Sequence, residues 1–257
     1  MKYSNLLKKV FSVLVAVFAV FALGACNRGD GDRETLRMAT SADFPPFEFV
    51  CEITGEYDGF DIHLARAIAD VLDKELVISN MVFDAVITAV TTGYADMAVA
   101  AISITPERLE SVLFSTPYFE TTQVVIVRND SHIRYPGQLD DPTVSVVVQM
   151  GTTSDTIVTS ILELEANIVR LNTATDTILE LNTGRVDAIV IDEAVAMQFI
   201  DMHPNFVILE SPLAMEEYAI AVNRGNNELL TQINDALAQL VASGEYQRIY
   251  NLFFGGE

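Results

Sequence analysis

The chain has no tryptophan, only two cysteines and only three histidines among its 257 residues. Lysine is equally scarce: Lys2, Lys8, Lys9 and Lys74 stand against 36 acidic residues, and the formal net charge is −21. With only Cys26 and Cys51, neither a disulfide framework nor a cysteine metal centre can be built. So acidic a chain lacks the basic patch that nucleic acid or an anionic lipid surface requires. The acid-for-lysine bias instead points to a saline or alkaline exterior, where carboxylates hold water and arginine keeps its proton. His63 falls on the surface of a predicted helix, and His132 and His203 lie in or beside loops, so no acid–base pair stands out. The sequence therefore points away from an enzyme, and no cofactor or metal is expected.

Long apolar runs are also lacking, with one exception. Val10 to Leu23 is almost unbroken, but at roughly 14 residues it is short for a membrane span. Three lysines and no acid precede it, as in a secretory leader. It ends in Leu23-Gly24-Ala25-Cys26, which resembles the lipobox of bacterial lipoproteins. The resemblance implies cleavage before Cys26 and lipid on its thiol and new amine, making 1–25 a leader. Residues 26–35, polar and glycine-bearing, read as a flexible tether. Cys51 then has no partner in the folded part and is a packed or idle thiol.

The most informative stretch runs from Val99 to Tyr118. An apolar strand (97–102) reaches Ser103, and Thr105-Pro106-Glu107-Arg108 opens a helical turn. Thr105 is a good N-cap, Pro106 suits the first helical position and Glu107 suits the first-turn dipole. Helix-start amides favour anions, and an arginine fork matches a carboxylate. Arg108 is thus either half of a carboxylate clamp or a surface residue paired with Glu107 or Glu110.

An internal echo separates these alternatives. "AVTTGYADMAVAA" (89–101) and "ELNTGRVDAIVID" (180–192) share the order helix end, Thr-Gly, two residues, Asp, apolar strand, at an offset of 91 throughout. The glycines suit the left-handed position that closes a helix. The same local unit used twice implies two lobes of similar α/β design. Asp192 then falls opposite Ala101, at the carboxyl end of the matched strand, where open α/β sheets bind ligands. By itself Asp192 could equally be the N-cap of a helix over 193–202. Beside Arg108, it supplies the opposite wall of a cleft.

Periodicity places further strands over 36–40, 77–81, 121–128, 143–148, 206–209 and 217–223. Helices are predicted over 61–72, 83–92, 156–165 and 228–242. Ser41 to Phe49, broken by paired prolines, reads as a stiff loop presenting Phe44 and Phe47 as core caps or as a ligand platform. Gln149-Met150-Gly151-Thr152-Thr153-Ser154 is a second helix start rich in hydroxyls. A free amino acid carries an α-carboxylate and an α-ammonium. Arg108, Ser103, Thr152 and Thr153 match the first, Asp192 the second, and Phe44 and Phe83 could sandwich the body.

At this point the chain resembles the extracellular solute-binding proteins of bacterial polar amino-acid ABC transporters, family 3. The matching segments include "ATSADFPPFEF" (39–49), "YDGFDIHLARAIA" (57–69), "NMVFDAVITAVTTGYADMAVAAISITPER" (80–108), "VQMGTTSD" (148–155), "GRVDAIVIDEAVA" (184–196) and "GEYQRIYNLFF" (244–254). The resemblance implies a two-lobe, type II periplasmic-binding-protein-like α/β fold with hinge strands near Phe119–Thr122 and Met215–Ala219. Residues 36–119 and 218–257 would form lobe 1, and 120–217 lobe 2. It further implies that Arg108, Ser103 and the Thr153 amide hold the α-carboxylate, Asp192 the α-ammonium, and Phe44 and Phe83 the stacking faces.

The departures bear on the ligand. Many members carry an acid at Ser41 and glycine or serine at Ala101, and some place a lysine or an apolar residue at Gln149. These favour a neutral, polar or small acidic amino acid over a cationic one. The implied partners are that free amino acid, a membrane permease with its ATPase, and the membrane itself through lipid on Cys26. The protein would be a monomer anchored at the outer face of the bacterial cell membrane. The alternatives are a dehydratase-like enzyme on the same scaffold, or a module presenting an amino acid to a receptor.

Overall fold

A computed structural model describes residues 33–161 and 167–255. The leader, Cys26 and the tether up to residue 32 lie outside the described residues, as do positions 162–165 of the helix expected over 156–165.

The first lobe opens with strand β1 (Thr35–Thr40), a hairpin of β2 (Asp43–Phe44) and β3 (Glu48–Val50), and β4 (Tyr57–Asp58). Helix α1 (Phe60–Val71), β5 (Glu75–Asn80), α2 (Phe83–Thr91) and β6 (Met97–Ala98) follow, then the single turn α3 (Pro106–Leu109) and β7 (Val112–Phe114). The long strand β8 (Phe119–Arg128) leads to a 3-10 turn at Pro136–Asp140 and then to β9 (Val146–Gln149). Next come α4 (Thr153–Ile161), β10 (Ile168–Leu171), α5 (Ala174–Asn182), β11 (Ala188–Asp192), α6 (Glu193–Met202), β12 (Phe206–Ile208) and β13 (Ala214–Tyr218). The chain ends with β14 (Ala221–Asn223), α7 (Asn227–Ser243) and α8 (Glu245–Phe254).

Two larger sheets organise these elements, in the orders β5-β1-β6-β14-β7 and β10-β9-β11-β8-β12. Their directions match: three parallel strands, then one antiparallel strand, then a strand antiparallel to that. The Thr-Gly…Asp echo explains the likeness at atomic level. Thr92 and Thr183 donate their hydroxyls to the carbonyls four residues back, at 2.8 and 2.9 Å. Gly93 and Gly184 then turn at φ +75° and +71°. The Asp96 carboxylate accepts the backbone N–H of Arg37, and that of Asp187 accepts the N–H of Ser145, at 2.8 and 2.9 Å. Each aspartate therefore joins its helix–strand corner to the start of the neighbouring parallel strand.

The crossing between sheets is made by β8 and β13, paired antiparallel from Phe119↔Tyr218 to Gln123↔Ala214. The strand expected over 217–223 breaks at Ala219 and Ile220, because the chain changes sheets there. The Ala219 N–H donates to Ile102 O in the first lobe. An aromatic cluster backs this crossing, with the Phe47 ring 4.8 Å from that of Phe119 and 5.2 Å from that of Tyr218. Phe47 is fully buried, which makes it a core cap. The expected loop over 41–49 is a tight hairpin around the prolines, and its small sheet is completed by β4.

Candidate functional site

The narrow cavity between the lobes is lined by Phe44, Phe83, Ala101, Ser103, Arg108, Gln149, Thr152, Thr153 and Asp192. Nine of the ten ligand-site positions expected from sequence thus share one wall system. Ser41 does not line it; its hydroxyl sits one layer back, donating to Asp43 at 3.1 Å.

Arg108 is aimed by its own turn. The Thr105 hydroxyl accepts its backbone N–H, and its guanidinium donates to Ser103 O at 2.8 Å and, across the cleft, to Gly151 O at 3.1 Å. It also lies over the Phe83 ring, 5.4 Å from the centroid. Its neighbours are therefore cavity walls, and it forms no ion pair with Glu107 or Glu110 in the structure. Opposite it, Asp192 occupies the N-cap position of α6 without capping it. Its side chain is buried and accepts the Tyr218 hydroxyl instead. Burial, with the negative Glu216 nearby, pushes the Asp192 carboxyl up to about 7. A cation entering the cavity would reverse that shift.

Residues 36–256 match the bacterial extracellular solute-binding proteins, family 3. The chain belongs to that family. A probable histidine-binding protein of Neisseria gonorrhoeae is 32% identical, over 98% of this chain and 97% of its own. The arginine-bound form of a truncated ArgBP from T. maritima is 42% identical with a TM-score of 0.75, covering 80% of this chain and 96% of that one. An ancestral amino acid-binding protein described as a precursor of cyclohexadienyl dehydratase is 34% identical with a TM-score of 0.80, covering 86% and 95%. The protein is a solute-binding component of the amino-acid ABC transporter kind, from a family that works outside the cell. Among the described residues no helix is long and apolar enough to cross a membrane.

Within this solute-binding protein, several polar residues matter that sequence patterns did not single out. Asp43, on β2, accepts the N–H of Ala174 at the start of α5 (2.8 Å) and the Gln149 amide (3.3 Å). It thereby ties the first lobe to the second beyond Gln149. Gly151 comes so close to Asp84 that a Cβ there would stand 2.7 Å from its Oδ1, and its φ is +77°. The lobes are closed on each other.

Behind the cavity, Asp61 accepts the Ala101 N–H (2.7 Å) and the Tyr118 hydroxyl (2.8 Å), and so holds Ala101 at its left-handed φ of 47°. Glu48 is fully buried beside Asp61, and neither of its oxygens has a hydrogen-bond partner. Burial and the neighbouring Asp61 carboxylate both oppose a charge on it. Burial raises Asp61 to about 6 and Glu48 well above its ordinary range. This carboxyl pair shapes the Ala101 wall rather than facing the cavity.

Proposed function

We propose that the cavity captures one free amino acid, with Arg108 on its α-carboxylate and Asp192 on its α-ammonium, and that the protein delivers it to a membrane permease and its ATPase. The carrying observation is the placement of these two opposite charges on facing walls of one small cavity lined by Phe44 and Phe83. Bidentate guanidinium–carboxylate pairing and a carboxylate–ammonium pair both strengthen when closure removes water. The start of α4 adds backbone amide donors on the second wall, while the Thr152 hydroxyl is spent on Gln149 O.

The surrounding charge alters the side-chain preference drawn from sequence. Asp43 stands directly behind Gln149, and Glu216 and Asp192 lie at the hinge end, whereas Arg108 is the only basic side chain on the wall among the described residues. A negative ligand side chain would enter a field that is already negative. We rank cationic amino acids first, uncharged polar ones second and acidic ones last. Names of relatives with histidine and arginine support this order. The lobes, 36–119 with 218–257 and 120–217, would open and close about β8 and β13 as a hinge, in a monomer held at the membrane by lipid on Cys26.

A thermal-shift panel of the standard amino acids tests the reading, because any ligand that binds only the native state raises the melting temperature. Arginine or histidine should give the largest shift, glutamine a smaller one, and aspartate and glutamate none. Flat traces throughout would sink the amino-acid reading. The dehydratase-like alternative rests on the ancestral neighbour. Recovery of the bound amino acid chemically unchanged after prolonged incubation separates binding from turnover.

A further inference from the structure

Glu216 lies on β13, between the exposed Met215 and Glu217, so the strand turns its side chain inward toward the lobes. It does not line the cavity, yet it bonds two residues that do. A single oxygen, Oε2, accepts the Ser103 hydroxyl at 2.5 Å, the Thr153 hydroxyl at 2.8 Å and the Gln123 amide at 3.2 Å. Ser103 comes from the first lobe, Thr153 from the second, and Glu216 itself from the crossing strand.

A hydroxyl has one proton to donate and two lone pairs. Ser103 and Thr153 both direct that proton at Glu216, so neither hydroxyl has one left for a bound anion. Thr153 Oγ1 also accepts from the Gln123 amide at 3.3 Å, which occupies part of its remaining capacity. Ser103, which lines the cavity, keeps the lone pairs of Oγ as acceptors. A carboxylate oxygen placed there would meet lone pairs, whereas an ammonium has three N–H groups to supply. Gln123 is locked in turn, its Oε1 accepting the Ser154 hydroxyl at 2.6 Å, so the amide cannot flip without losing that bond. The carboxylate role expected of the Ser103 hydroxyl is therefore better filled by backbone amides and Arg108.

We propose that Glu216 is a specificity-determining residue. By taking the hydroxyl protons of Ser103 and Thr153 from opposite lobes, it fixes Ser103 as an acceptor and, with Asp192, makes the hinge end of the cavity select an amine. This deepens the amino-acid reading and rests on it. The selection acts on the α-position: an amino acid is accepted, and a 2-hydroxy acid with the same side chain, which carries no positive charge there, is rejected.

The test measures affinities of L-arginine, L-histidine and L-glutamine, and of the three corresponding 2-hydroxy acids, for wild type and Glu216→Gln. The amide keeps the shape and removes the charge; with the Gln123 donor fixed, its carbonyl oxygen takes the place of Oε2, so the variant isolates the charge at the hinge end. The amine-to-hydroxyl affinity ratio should fall about tenfold in the variant, the size of one lost charge-assisted contact. A ratio that stays at the wild-type value overturns the proposal, including the case in which both ligand types weaken equally, as a purely structural tie between lobes would produce. A wild type that binds none of the three amino acids overturns the amino-acid reading itself. If Glu216→Gln does not fold, Glu216→Asp, which draws the carboxylate back from both hydroxyls, carries the same comparison with the same outcomes.

Discussion

The two larger sheets share strand order, strand directions and the Thr-Gly…Asp corner, yet they end in opposite charges. After β6 the chain turns through Ala101 and Ser103 to Arg108, with Asp61 holding the turn from behind. After β11 it passes straight into α6 and leaves Asp192 buried at the junction. The offset of 91 residues sets Ala101 against Asp192, so the repeat supplies two equivalent ledges and the difference between them supplies a cation and an anion. The aspartates of the repeat, Asp96 and Asp187, hold each ledge; the proposed recognition falls to Asp192, at the repeat's last position, and to Arg108 beyond it.

Breaking the unlike part should have the largest effect. Arg108→Ala is predicted to weaken amino-acid binding by about 3 kcal/mol, roughly a hundredfold, because it leaves an α-carboxylate desolvated without its cation. The ligand-induced thermal shift should vanish while far-UV circular dichroism stays unchanged. Breaking the like part should act differently. Asp96→Ala and Asp187→Ala each orphan a strand-start N–H and should each cost about 1–3 kcal/mol of stability. Denaturant titration should show similar losses in both, with affinity in the folded protein little changed. A large affinity loss in either variant would mean that the repeat does more than hold the ledges.

This division explains what was legible in the sequence. The echo, the Thr105-Pro106 turn and the carboxyl-end positions of Arg108 and Asp192 are local features, written in neighbouring residues. Asp43 and Glu216 were not legible, because their partners lie far along the chain: Ala174 is 131 residues from Asp43, and Ser103 is 113 from Glu216. Glu48 and Asp61 looked like ordinary acids at a strand and a helix start, since only the closed packing shows that both are buried. The break at Ala219 and Ile220 was hidden for a related reason. Both residues are apolar and fully buried, so the pattern runs on while the chain changes sheets.

The placement of the ammonium on Asp192 is most directly tested by the pH dependence of amino-acid affinity. In the unliganded protein burial holds this carboxyl near 7, so below that pH it is protonated and must release its proton to meet an ammonium. Linkage then requires affinity to fall as the pH drops below about 7, by up to about tenfold per unit, and to level off above it. Calorimetry from pH 5 to 8 should show that slope in wild type and a weaker, nearly flat profile in Asp192→Asn. A flat wild-type profile, or a slope that survives the substitution, would contradict the clamp.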